Sequence, residues 1–273
     1  MVILFLLITL DLAELQKALA ELGNPWVAGE TSVSRLTDEG RANLMGSMTP
    51  YLFELGASAF QESYSDTHSS KAPSEWNWRN YKGKNWMTPV KDQLGCGSCY
   101  LFAMVGGFEG RLKIAYNMPD TNINLSEEFV LSCCNRVYGC HGGNFPPTAQ
   151  FVVDIGIPDE KCFPYIGKVL PCINACPDVE ARVTKANRWG ATNKVAQFKA
   201  KLMQGPMACW LTPKSDFLYY KGGVYTPIMG EKYVHAVTLC GWSDSLGAWV
   251  FKNSWSIWWG DSGYGWINYG EER

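Results

Sequence analysis

The sequence predicts an α+β fold, a helical half followed by an antiparallel β half, on two observations. Helical periodicity dominates from about residue 90 to 180, and β-rich runs separated by Gly, Asp and Ser turns dominate the later part of the chain, about 181–273. A chain of 273 residues can bury a sizeable core as one large domain or two packed ones. After Ser98, the residues Leu101, Phe102, Val105, Phe108 and Leu112 recur at near-helical spacing, which predicts a long helix. Gly106, Gly107 and Gly110 weaken that helix by about 1 kcal/mol each relative to alanine, so another element must pack closely on their face. Shorter helices are predicted from Ser126 to Cys133, from Pro146 to Ile155 with Gly156 beyond its end, and from Lys194 to Met203 before the Gly205-Pro206 stop. Strands are predicted within Pro206–Leu211, Tyr233–Trp242, Ala248–Trp255 and Gly263–Tyr269.

The first ten residues, MVILFLLITL, form an apolar run too short to span a bilayer but suited to a secretory signal, so residues 1–12 are read as a signal peptide. Helical periodicity follows in LAELQKALAELG. Glu62 to Lys71 is polar and reads as an exposed linker open to proteolytic cutting. A formal charge of -2 with no basic run excludes nucleic acid as a partner, and no stable membrane anchor is expected. Ten cysteines, clustered between Cys96 and Cys176, predict a disulfide framework formed in an oxidising compartment.

Chemistry concentrates in Gln93-Leu94-Gly95-Cys96-Gly97-Ser98-Cys99-Tyr100. A cysteine in the first turn of a helix meets unpaired N–H groups and the positive end of the helix dipole, which favour thiolate over thiol. Such a sulfur still needs a base. The chain holds three histidines: His68 in the linker, His141 in a Gly-rich turn, and His235 in a β-rich run, whose rigid strand can present an imidazole across a cleft. Asn253, in KNSW, can accept from that imidazole and fix its tautomer.

These segments resemble the papain-like cysteine peptidases, and among them the cathepsin B group most closely. The motifs that carry the resemblance are QLGCGSCY, LSCCNRVYGCHGG, SDFLYYKGGVY, YVHAV and FKNSWSIWWGDSGYGW, in family order over roughly residues 72–269. The resemblance implies a helical left half and a β right half flanking a cleft. It assigns Cys99, His235 and Asn253 to catalysis, and Gln93 with the backbone N–H of Cys99 to an oxyanion hole. Gly142 and Gly143 take the place of a turn that binds substrate backbone, and Trp255 that of a ring shielding the histidine–asparagine bond at the substrate cleft. It also implies the pairs Cys96–Cys140, Cys133–Cys172 and Cys162–Cys176, leaving Cys134, Cys209 and Cys240 as thiols. Asn24 to Met48, with Trp-Val-Ala-Gly at Trp26 to Gly29, is similar to a short propeptide that blocks the cleft, so residues 13–70 are read as an inhibitory propeptide and 71–273 as the mature peptidase. The short span between Cys162 and Cys176 lacks the loop that confers dipeptide removal, which implies endopeptidase action on peptide or protein substrates. A monomer without cofactor is expected, in a lysosome-like vesicle or outside the cell.

Three other readings compete. Cys96-x-x-Cys99 is also a redox signature, Cys172 and Cys176 could begin a zinc site, and the fold could serve as a catalytically weak or inactive binding protein. Asn124-Leu125-Ser126 is a glycan acceptor sequon that none of these functions uses.

Overall fold

A computed structural model describes residues 10–45, 72–192, 194 and 197–272, with only the backbone of Met45. The expected signal peptide lies largely outside these residues, and so do His68 and the linker from Glu62 to Lys71.

Among the described residues seven α-helices form in chain order: α1 (Leu12–Glu21), α2 (Asp38–Met45), α3 (Cys99–Ala115), α4 (Glu127–Cys133), α5 (Phe145–Asp154), α6 (Val179–Arg182) and α7 (Phe198–Leu202). The seven strands are β1 (Trp26–Ala28), β2 (Glu75–Asn77), β3 (Met207–Leu211), β4 (Tyr220–Tyr225), β5 (His235–Ser243), β6 (Ala248–Lys252) and β7 (Tyr264–Asn268). They join one sheet in the order β1-β4-β7-β6-β5-β2, with β3 also on β5. The sheet is antiparallel except between β4 and β7, which run parallel. Because β5, β6 and β7 form a meander, β4 reaches the free edge of β7 only by adding on its far side. Of the helix expected from Lys194 to Met203, part of which lies outside the described residues, α7 covers Phe198–Leu202, where Phe198 and Leu202 are buried.

Each half has its own core. Tyr100, Leu101, Val105, Val130, Leu131 and Ile157 fill the helical half. Phe217, Leu239, Trp242, Phe251, Trp255 and Trp259 fill the β half, and the same cluster contains Leu15, Leu19, Trp26, Val33 and Leu44 from the N-terminal segment. That segment therefore docks on the β half as a packed part of the molecule. Its helix α1 starts at Asp11, whose carboxylate accepts from the Ala13 N–H at 2.7 Å, and turns Leu15 and Leu19 inward on one i, i+4 face.

The glycines of α3 explain how the halves meet. A Cβ at Gly106 would lie 2.8 Å from Thr238 Oγ1, and one at Gly110 would lie 2.4 Å from Pro206 Cγ. The bare helix face lies directly on β3 and β5, which is the close packing that the glycine spacing demands. The helical half is closed by disulfides Cys96–Cys140, Cys133–Cys172 and Cys162–Cys176, the pairs the resemblance implies. Cys99, Cys134, Cys209 and Cys240 are buried outside them.

Candidate active site

Cys99 is the first residue of α3. Ser98 precedes it as N-cap but lends no side-chain cap, because its hydroxyl bonds Tyr165 Oη at 2.7 Å, and Tyr165 in turn donates to the Gln93 carbonyl at 2.8 Å. The backbone N–H groups of Ala236, Tyr100 and Cys99 are directed at the Cys99 sulfur. Ala236 follows His235 on β5, so the strand that carries the imidazole touches the sulfur across the junction of the halves.

His235 is fully buried, and its Nε2 lies 2.8 Å from Asn253 Oδ1. An amide oxygen can only accept, so Nε2 carries the proton and Nδ1 is the basic nitrogen. Nδ1 is buried and has no hydrogen-bond partner among the described residues. Asn253 Oδ1 is held in place by a second donor, the Ser254 N–H at 2.8 Å. The Trp255 ring lies 4.4 Å from the imidazole, centroid to centroid.

Burial dominates the electrostatics. It pushes the Cys99 thiol up to about 11 despite the three N–H groups, and pushes His235 down to about 4 against the opposing effect of Asn253. This reverses the thiolate preference expected from the helix N-terminus alone, because desolvation outweighs the partial charge of the helix end. Both groups are therefore neutral in this closed state. A histidine of ordinary pKa about 6.5 in the unfolded chain binds its proton there before it does in the folded one. Stability is thus present above pH 6.5 and lost as pH falls toward 4, by about 3 kcal/mol. Urea unfolding of the full chain between these pH values should show that loss, and His235→Phe should remove this share of the slope.

Gln93 is fully buried. Its Oε1 accepts from Ser254 Oγ at 2.7 Å, and its Nε2 donates to the Cys96 carbonyl at 2.9 Å and to the Leu44 carbonyl at 3.3 Å. A carbonyl of the N-terminal segment thus sits on the amide that the resemblance assigns to the oxyanion hole. Two further contacts fasten the segment beside it: Ser32 donates to the Trp255 carbonyl at 2.6 Å and Thr31 to the Leu218 carbonyl at 2.6 Å.

Gly142 has φ 105°, and a Cβ on Gly143 would stand 2.3 Å from the Tyr100 ring. Tyr100, fully buried, donates to the Gly139 carbonyl at 3.2 Å and so fixes this turn to the helix that bears Cys99. His141 is exposed in the same turn.

A buried polar cluster behind the pair escaped the sequence reading. Lys91 Nζ bonds Glu109 at 2.9 Å and Glu127 at 2.8 Å, Thr88 donates to Glu109, and Lys252 Nζ donates to Thr88 Oγ1 at 2.9 Å. Burial by itself would lower Lys91, but Glu127 and Glu109 outweigh it and raise it. Burial also pushes Lys252 down to about 8. Lys252 adjoins Asn253, and a cavity of about 10 Å³ lined by Lys91, Glu127, Lys252 and Asn253 lies between cluster and site. The available signal was a charge stranded in an apolar run, as with Lys252 in AWVFKNSW. Glu109→Ala strips carboxylate contacts from Lys91 and Thr88 and is expected to cost about 3–5 kcal/mol, read as a lower denaturant midpoint.

The model of the papain family of cysteine proteases matches residues 72–273. The chain belongs to that family. Cathepsin K of Gallus gallus is 33% identical over 202 residues, 72% of this chain. This chain spans only 59% of that relative's length. A solved structure of recombinant stem bromelain precursor is 26% identical with a TM-score of 0.74, covering 94% of this chain and 82% of that one. The structure of proCathepsin B S9 from Trypanosoma congolense has a TM-score of 0.80 and covers 96% of this chain and 94% of its own, at 20% identity, a likeness of fold. As a papain-family member the chain has the expected α+β fold. The redox reading fails, since Cys96 is paired with Cys140 and Cys99 is not in a disulfide. Among the described residues no group of three or more His, Cys, Asp and Glu side chains could hold a metal, and no helix is long and apolar enough to cross a membrane.

Proposed function

We propose that the chain is the precursor of a cysteine endopeptidase, cathepsin B-like without the dipeptide-directing loop, held inactive by its own N-terminal segment. The contact of the Leu44 carbonyl with Gln93 Nε2 carries this reading, because it puts the chain's own backbone where a substrate carbonyl would be attacked. Residues 1–12 would leave as a signal peptide, 13–70 would act as the inhibitory propeptide, and cutting near Lys71 would free residues 71–273.

Once the segment departs, water enters the cleft and the costs that keep Cys99 and His235 neutral fall. The sulfur gives its proton to His235 Nδ1, and the thiolate attacks a peptide carbonyl. Negative charge on that oxygen is received by Gln93 Nε2 and the Cys99 N–H. His235 then protonates the departing amine, leaving a thioester that water hydrolyses with the imidazole as base. Asn253 keeps Nδ1 facing the sulfur throughout, and Gly142 and Gly143 let the substrate backbone approach. A neutral, sealed pair also fits a weakly active binding protein, and access separates the two readings. The chain freed of residues 1–70 should be labelled at Cys99 by an epoxide-type thiol inhibitor and should cleave internal peptide bonds, while the intact chain resists labelling. A freed chain that binds peptide yet stays unlabelled would sink the proposal. Gln93→Ala in the freed chain is expected to lower kcat by about 10²–10³-fold with little change in KM, as steady-state kinetics would show.

The disulfide framework supports passage through the secretory pathway, to an acidic vesicle or to the outside.

A further inference from the structure

We propose that Asn124 carries an N-linked glycan, added before the helical half folds. Asn124-Leu125-Ser126 is the one Asn-x-Ser/Thr tripeptide in the chain. Asn124 is exposed. Its backbone carbonyl accepts from the Glu160 N–H at 2.9 Å, so the residue is anchored by its main chain, and among the described residues no hydrogen bond engages its carboxamide.

The site lies well away from the cleft. The next residue, Leu125, donates its N–H to Glu109 Oε1 at 2.8 Å, and Glu109 stands ten residues along α3 from Cys99. At 1.5 Å per residue that is about 15 Å down the helix axis, so a sugar here leaves the Cys99–His235 pair accessible.

Ser126 sets the timing. It is fully buried, its hydroxyl donating to the Phe163 carbonyl at 2.5 Å and accepting from the Phe129 N–H at 2.9 Å as the N-cap of α4. A transferase must engage that hydroxyl to read the tripeptide, and in the folded molecule it is sealed. The tripeptide is therefore read only while the chain is unfolded, in the same oxidising compartment that forms the three disulfides. In the transfer, Asn124 Nδ2 bonds to the anomeric carbon of a lipid-pyrophosphate-linked oligosaccharide. The carbon–oxygen bond to the lipid pyrophosphate breaks, the pyrophosphate departs with its electron pair, and Nδ2 loses one proton.

The test is to secrete the full chain from a eukaryotic host and treat it with peptide N-glycosidase. One discrete mass decrease is expected, with Asn124 converted to Asp in the released peptide. Asn124→Gln should abolish the decrease and leave thermal stability of the unglycosylated protein unchanged. Ser126→Ala should also abolish it, and should lower the unfolding midpoint even in bacterially made protein, because it removes the cap as well. A wild-type chain unaffected by the glycosidase, or an Asn124→Gln variant that still shifts, overturns the proposal. Neither outcome bears on peptide hydrolysis, which is tested separately by labelling of Cys99.

Discussion

Cys99→Ala in the chain freed of residues 1–70 is expected to lower kcat for peptide hydrolysis by at least about 10⁴-fold. The sulfur receives the N–H groups of Ala236, Tyr100 and its own residue, which would support a thiolate once the segment leaves and water lowers the cost of burial. No other thiol can replace it: Cys134, Cys209 and Cys240 are buried in the packed interior. His235→Ala should cost about as much, since Nδ1 is the unpartnered base, and the double variant should be little worse than either single one. Steady-state kinetics on one fluorogenic peptide decides this. A Cys99→Ala rate within tenfold of the parent would remove the nucleophile from the scheme, and multiplying losses in the double variant would show that the two side chains do not act as a unit.

Trp26→Ala is expected to release the N-terminal segment. Trp26 is 1% exposed, with its ring 5.3 Å from that of Tyr225 and 6.1 Å from that of Tyr220, and its Nε1 donates to the Thr226 carbonyl at 3.0 Å. It also begins β1, which pairs with β4 through Gly223, where the left-handed φ of 90° lets the backbones approach. Deleting a buried tryptophan costs about 3–5 kcal/mol, a factor of roughly 10²–10⁴ in the opening equilibrium. Thiol labelling of Cys99 in the intact chain near neutral pH should accelerate by that factor, while labelling of the freed chain is unaffected by the segment. Labelling unchanged by Trp26→Ala would mean that the segment does not gate the cleft.

Much of this molecule is legible along the chain because local rules dictate it. The long helix after Ser98 follows from apolar spacing, its close packing on β3 and β5 from Gly106 and Gly110, and the strands of the β half from β-rich runs between turn residues. The candidates Cys99, His235, Asn253 and Gln93 could be named because each sits in a motif whose chemistry needs that residue type. The three-residue strand Trp26–Ala28 was not legible: it has no period of its own and exists by pairing with β4.

Residue order alone therefore determined the fold class, the family and the candidate side chains, since backbone periodicity and residue chemistry are written locally. Only the tertiary structure decided their state. Packing placed Leu44 on Gln93, joined Lys91, Glu109, Glu127 and Lys252 into one buried cluster, and withdrew water from Cys99 and His235. Desolvation depends on everything that surrounds a group, from segments far apart in the chain, and no window of sequence contains that surrounding.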